Sequence, residues 1–372
     1  MYNYKFINGK KFRKGYTTGT CAAAASKAAL MALVSQNQIS DVDVDTPSGN
    51  TLKLQIIDCE FSEKCARCSV VKDGGDDVDV TTGLKVFSEV RVTKEFGIDI
   101  KGGEGIGIVT LPGLRVKVGE KAINPVPMKM ILYELGKILP DGLGLEVTIS
   151  VPGGEEVAKK TYNPKLGIEG GISILGTSGI VEPMSEESWK EALELELKVL
   201  ASRGSKEVVF VFGNYGQDYI INNTAINRDK IVKVSNFIGF MLDKALENKF
   251  EKILLAGHIG KLIKVAAGIF HTHSKVADAR AEIITAFSAL EGAGIEVLEK
   301  LYALKTTEAA LEIIKKYNLF KVLDRIVLQA SARCCEYTYG NIKVGTVLFD
   351  SNSNLLAIDE SASQILQEMG GI

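Results

Sequence analysis

Short apolar runs alternate with helical stretches of ten or more residues through the second half of the chain, and no other feature restricts the fold as strongly. Ile172–Leu175, Val208–Phe212, Ile253–Ala256, Ile295–Leu298 and Lys343–Phe349 read as strands. Helices are predicted over Ser185–Ala201 and Lys230–Leu246, from Lys261 and from Val276, near Thr307–Lys316, and over Val322–Ala332. Glu186 and Glu187 in a first turn, with Gly204 past the end, suit the first of these, because acids complement the positive helix N-terminus. Strands alternating with helices imply βαβ units and a parallel sheet.

The first half has another rhythm. Ala-rich sequence from Cys21 to Ser35 predicts one helix, with Thr20 as its N-cap. Strand-like runs follow at Val42–Val44, Thr51–Ile57, Ser69–Val71, Lys85–Val92 and Gly107–Leu111, then a helix over Pro127–Leu139 and a strand over Leu145–Val151. At 372 residues the chain exceeds one compact core. The expectation is a two-domain protein. A mixed-sheet α+β domain over residues 1–160 precedes a Rossmann-like, parallel-sheet α/β domain over residues 161–372, with the change near Pro152-Gly153-Gly154.

Composition excludes several classes. Hydrophobic residues at 46% and charged residues at 24% exclude disorder. Lys plus Arg number 44 against 46 acids, a net charge of -2, which provides no global field for nucleic acid. Six cysteines are too few for a disulfide scaffold. The Cys65-Ala-Arg-Cys68 pair lacks the second pair that a four-ligand zinc site needs. The apolar run from Cys21 to Val34 is interrupted by Lys27 and falls short of a membrane span. These readings predict a cytoplasmic protein with no membrane or nucleic-acid partner and no protein-bound metal, and they leave a homo-oligomer open.

Three predicted strands end in glycine-bearing turns: Gly176-Thr177-Ser178-Gly179, Gly213-Asn214-Tyr215-Gly216 and Gly257-His258-Ile259-Gly260. Ligands of open α/β sheets bind at the carboxyl ends of strands, so the three turns together predict a nucleotide-like ligand. No GxGxxG fingerprint or phosphate-binding P-loop is present. All three histidines, His258, His271 and His273, fall between Gly257 and Ser274, which suits acid–base work beside a strand end. Lys72 to Asp79 gathers four Asp residues around Gly74-Gly75 without EF-hand spacing. Gly15 to Cys21 offers hydroxyls and N–H groups at a predicted helix start, suited to a carboxylate. A nucleophilic Cys21 is the competing reading of that segment.

The strings GYTTGTCAAAA at 15–25 and KDGGDDVDVT at 72–81 resemble the signature of the CbiD family. So do GGEGIGIVT at 102–110, AINPVP at 122–127, the run 166–189, GNYG at 213–216, SNFIGFML at 235–242 and the run 257–280. Met128 stands where the family pattern has Arg, and Ser178 where it has Thr. The last 85 or so residues match chiefly through Thr306-Thr307-Glu308-Ala309-Ala310. The resemblance implies transfer of a methyl group from S-adenosylmethionine to C1 of cobalt-precorrin-5B, giving cobalt-precorrin-6A in anaerobic cobalamin biosynthesis. The cobalt would be carried by the corrinoid substrate.

Joined to the residue pattern, this assigns Gly176, Thr177, Gly179, Gly213, Asn214, Gly216, Gly257 and Gly260 to the cofactor, on the second domain. Thr17, Thr18, Thr20, Lys72, Asp77 and Lys261 are assigned to the corrinoid, most of them on the first. His258, His273 and Asp76 are the candidate bases. The alternative is a Rossmann-like, dinucleotide-dependent oxidoreductase acting on a tetrapyrrole. A non-catalytic corrinoid or metal carrier is a third class.

Overall fold

The computed structural model describes residues 4–7 and 9–370 and divides the chain into two compact units, residues 1–187 and 188–372. It is a mixed α/β protein.

In the first unit β1 (Tyr4–Ile7) and β2 (Lys10–Arg13) form a hairpin, and β3 (Gly15–Tyr16) leads into α1 (Thr18–Ser35). The strands β4 (Asp41–Asp45) and β5 (Thr51–Gln55) make a second hairpin. Next come β6 (Cys59–Phe61), β7 (Cys65–Val71), β8 (Lys85–Thr93), β9 (Gly97–Gly102), β10 (Ile108–Val109), α2 (Pro125–Gly136) and β11 (Gly144–Ser150). A mixed sheet has the order β6-β7-β8-β11-β9, with only the β11–β9 pair parallel. Val86 and Val90 of β8 and Leu145, Val147 and Ile149 of β11 turn inward, as the two-residue period of a strand requires.

Against this sheet lies α1, almost wholly buried, because its alanines let neighbours approach closely. At Gly19 an added Cβ would stand 2.6 Å from Pro127 Cγ on α2. The N-cap is Thr17, three residues before the expected Thr20, since the Thr17 hydroxyl accepts from the Thr20 N–H. After the short α3 (Gly154–Ala158) and β12 (Ile168–Glu169), β13 (Ile180–Val181) pairs antiparallel with β3.

The division between units therefore falls well after residue 160. Ile172 and Ile174 bridge to Ile106 and Ile123 and belong to the core around α1. The Gly176–Gly179 turn is accordingly part of the first unit.

The second unit begins in the first turn of α4 (Glu186–Ser202). Then follow β14 (Glu207–Val211), α5 (Asn214–Asn223), β15 (Ile231–Lys233), α6 (Ile238–Glu247), β16 (Lys252–His258) and α7 (Ile259–Ala266). Four helices come next: α8 (Arg280–Leu290), α9 (Ile295–Tyr302), α10 (Thr307–Lys316) and α11 (Lys321–Tyr337). The chain closes with β17 (Lys343–Phe349), β18 (Leu355–Ile358) and α12 (Glu360–Glu368). The sheet order is β15-β14-β16-β17-β18; the first four strands are parallel and β18 is antiparallel to β17.

Val208 and Phe210 of β14 pack into a core with α4, α6, α7 and α11, while Val209 and Val211 pack with α5 and α12 on the other face. Burial on both faces explains the unbroken apolar runs.

Three expectations change here. Ile295–Leu298 opens α9 rather than forming a strand, because Val297 and Leu301 are buried four residues apart on one helical face. The expected helix over Lys230–Leu246 contains β15, which pairs with β14, so its helix starts only at Ile238. The helix expected from Val276 begins at Arg280, after a turn held by Val276 N–H donating to the His273 carbonyl at 3.0 Å.

Candidate functional site

In the first unit three segments meet where α1 begins. Gly15 lies so close to the Asp-rich loop that an added Cβ would stand 2.3 Å from the Gly74 carbonyl carbon. Tyr16 N–H donates to the Asp73 carbonyl at 2.9 Å, and Arg13 N–H donates to Asp76 Oδ2 at 2.6 Å. The Arg13 guanidinium grips Asp73 with two bonds, at 2.5 and 2.8 Å, and holds that carboxyl below its usual range.

Lys72 is 2% exposed, and its ammonium donates to Asp79 Oδ2 at 2.8 Å. Burial by itself would raise the Asp79 pKa, but Lys72 and then Thr81 outweigh it, and the carboxyl titrates below its ordinary value.

The third segment is 173–181. Thr17 N–H donates to the Gly179 carbonyl at 3.1 Å and Gly19 N–H to the Leu175 carbonyl at 3.0 Å. The Thr18 hydroxyl donates to the Ser173 carbonyl at 3.1 Å and accepts from Leu175 N–H at 2.9 Å. The Thr20 hydroxyl donates to the Gly179 carbonyl at 2.7 Å. Gly176, at φ +130°, is packed so that an added Cβ would meet Thr17 Oγ1 at 2.4 Å.

The hydroxyls expected to receive a carboxylate therefore fasten the chain to itself, and the N–H groups of Gly19 and Thr20 have protein acceptors. Lys72 is engaged in the same way. Asp77 accepts from Met184 N–H at 3.2 Å, while Asp76 and Thr177 are exposed and Val78 is 98% exposed. Cys21 is fully buried, and burial pushes its thiol up to about 12, which overturns the nucleophile reading. Met128 packs against the α1 core as a partly buried apolar side chain.

In the second unit β14 is followed by α5 on one face of the sheet, and β16 by α7 on the other, so the ends of these neighbouring strands flank a topological switch point. Gly213 caps α5, and a Cβ there would meet nothing within 4 Å. Gly257 is packed against the Phe212 ring, which an added Cβ would touch at 2.8 Å. At Gly216 an added Cβ would stand 2.9 Å from Val211 Cβ, so that glycine packs α5 on β14. Asn214 Oδ1 accepts from Lys233 Nζ at 2.6 Å. Lys261 Nζ lies 5.4 Å from the Phe212 ring centroid and donates to the Ser235 carbonyl at 3.3 Å. Burial, then the charge of Lys264, lowers its pKa.

His258 is the N-cap of α7: its Nδ1 accepts from Gly260 N–H at 3.3 Å. The neutral ring therefore carries its proton on Nε2, which lies 3.4 Å from Glu308 Oε1. His273 Nδ1 likewise accepts from Lys275 N–H, at 3.1 Å. His271 sits edge-on to Phe237 at 5.4 Å.

Sequence reasoning missed four groups beside these. Arg280 grips Asp278 at 2.6 and 2.8 Å, and an added Cβ at Gly260 would lie 4.0 Å from Arg280 Nη1 and 3.4 Å from Thr307 Oγ1. Glu308 faces His258. Asp350 follows Phe349, the register partner of His258. Burial would raise the Asp350 carboxyl, but the Asn354 side chain and the N–H groups of Asn354 and Asn352 outweigh it and hold the pKa low. The buried Lys264 donates to the carbonyls of Thr272 and Ala277 at 3.1 and 2.8 Å and shapes the loop between α7 and α8. The run 257–280, which holds Lys264 and Arg280, and the Thr306–Ala310 string, which holds Glu308, were the sequence signals pointing this way.

The CbiD family model matches residues 5–183, and the model described as CbiD, C-terminal domain, matches residues 271–360. A cobalt-precorrin-5B C(1)-methyltransferase from Thermoanaerobacter sp. (strain X514) is 52% identical over 96% of this chain and 98% of its own. One of the same name from Alkaliphilus metalliredigens is 47% identical over 99% of this chain and 97% of its own.

The chain belongs to the CbiD family.

A crystal structure of a cobalamin biosynthesis protein (cbiD) from Archaeoglobus fulgidus is also similar, at 33% identity, covering 74% of this chain and 87% of that one with a TM-score of 0.40. The two CbiD matches take in Arg13, the Asp-rich loop and the 173–181 segment on one side, and His271, His273, Arg280, Glu308 and Asp350 on the other. The oxidoreductase alternative finds no support in the names of these CbiD relatives. No helix among the described residues is long and apolar enough to cross a membrane.

Proposed function

We propose that this chain is a cobalt-precorrin-5B C(1)-methyltransferase that uses S-adenosylmethionine in cobalamin biosynthesis, in the cytoplasm. The observation that carries this reading is 52% identity to a relative of that name over nearly the full length of both chains. Four parallel strands with helices on both faces support a Rossmann-like second unit, with the donor at the ends of β14 and β16.

The residues there fit such a ligand. Open space at Gly213 admits it, the Phe212 ring offers an apolar wall, and Asp350 and Glu308 supply acceptors. Lys261, beside the Phe212 ring, offers a hydrogen-bond donor to the nucleoside part of that ligand. When bound, S-adenosylmethionine supplies an electrophilic methyl group on a sulfonium. The chain's task is then positioning more than proton transfer.

His258 fixes the first turn of α7 through Gly260 and presents its Nε2–H side to Glu308. A base at His258 would have to shift its proton to Nδ1 and give up the Gly260 bond, so the capping role is the one the geometry favours. Asp76 and His273 are also engaged with backbone N–H groups. The corrinoid is assigned to the first unit, where the Asp76–Val78 tip and Thr177 face solvent on a backbone that Gly15, Arg13 and the threonines hold rigid.

Anaerobic incubation with cobalt-precorrin-5B and methyl-labelled S-adenosylmethionine tests this, with one labelled methyl added to the corrinoid by mass as the expected result. A well-folded chain that transfers no label would overturn the assignment.

A further inference from the structure

Within the second unit, α8, α9 and α10 line a half-open cavity of about 360 Å³ that the reading above does not use. Its wall includes Asp278, Arg280, Glu282, Tyr302, Lys305 and Thr307. Asp278 and Arg280 are paired with each other. Glu282 and Lys305 have no ion-pair or hydrogen-bonding side-chain partner among the described residues. One uncommitted anion and one uncommitted cation thus share a small cavity.

The cavity neighbours the strand-end crevice. Gly260, in the first turn of α7 just past β16, comes within 3.4 Å of Thr307 Oγ1 and 4.0 Å of Arg280 Nη1 through the Cβ it lacks. A Cβ there would make only ordinary van der Waals contact, so the first turn of α7 and the cavity wall lie side by side.

We infer that this cavity receives the α-amino-acid end of the methyl donor, with the carboxylate toward Lys305 and Arg280 and the ammonium toward Glu282. The inference rests on the donor reading proposed above. The size sits at the small end of ligand pockets, which suits a headgroup and excludes a macrocycle. The mixed charge decides between ligands: a corrinoid arm ending in a carboxylate would meet Asp278 and Glu282 as repulsive neighbours, whereas a zwitterion complements both signs.

The test is calorimetric titration of the full chain with S-adenosylhomocysteine and with 5′-methylthioadenosine, which has no amino-acid end. The native chain should bind the first at least about tenfold more tightly, the effect of one charge-assisted contact. Lys305→Gln and Glu282→Gln, both on exposed side chains and so harmless to folding, should each weaken S-adenosylhomocysteine about fivefold or more and leave 5′-methylthioadenosine unchanged. Equal affinity of the native chain for the two nucleosides overturns the inference while the donor reading stands. Binding of neither overturns both. Variants that weaken both nucleosides alike, or neither, also overturn it.

Discussion

The first unit surrounds the start of α1 with polar side chains that hold one another, whereas the second leaves Glu282 and Lys305 uncommitted around a cavity among its helices. Thr17, Thr18, Thr20 and Lys72 all look like ligand groups in the sequence, and each is bonded within the protein. Lys305 and Glu282 carry no motif, yet both face an open cavity. A dense polar string can therefore be a fastener: the requirement to satisfy buried N–H, hydroxyl and charged groups selects the same residue types as ligand recognition does.

The sharpest way to break this contrast is Lys72→Met. If Lys72 fastens the Asp-rich loop, its loss strands Asp79 beside an apolar side chain and should cost about 3 kcal/mol or more of stability in denaturant unfolding. Donor affinity, measured on the second unit's ligand, should not move. A stable variant with weakened corrinoid binding would instead make Lys72 a ligand group and erase the difference between the units.

Lys261→Met probes the other side, with an expected tenfold rise in donor Kd, about 1.4 kcal/mol. Its folded pKa is lowered from 10.5, so between that lowered value and 10.5 the unfolded chain holds a proton that the folded chain has released. Stability from this group therefore rises with pH across that window, and the methionine variant should lose that part of the slope. Unfolding curves taken across alkaline pH decide it; an unchanged slope would mean the lysine is well solvated.

His258→Asn should have the smallest effect. Asparagine is a good N-cap, so melting temperature should stay near that of the native chain and the single-turnover rate within about tenfold. A loss of about a hundredfold with stability kept would restore His258 as a base.

The parallel sheet was legible because Val208–Phe212, Ile253–Ala256 and Lys343–Phe349 are apolar on both faces, a local property. β15 was not, since three residues pinned by β14 carry no periodicity of their own. Residues 161–187 read as the start of a new domain because their partners, Ile106, Ile123, Tyr16 and Gly15, are distant in the chain. The three glycine turns were visible as turns, but only packing separates them. Gly176 makes room for Thr17, Gly257 for Phe212, and Gly213 for nothing in the protein. Arg280 and Glu308 escaped notice because helices far apart in sequence bring them to the end of β16.

The bonds from Thr18 and Thr20 to Leu175 and Gly179 join residues 157 and 159 positions apart. On the ribosome, at about 5–20 residues per second, the first turn of the amino-terminal helix waits on the order of ten seconds for the segment that completes it. Until then a buried alanine-rich helix is without its lid, so the nascent chain must stay soluble with its central packing unfinished. That helix is thus among the earliest parts of the first unit to be synthesised and among the last to be fully satisfied.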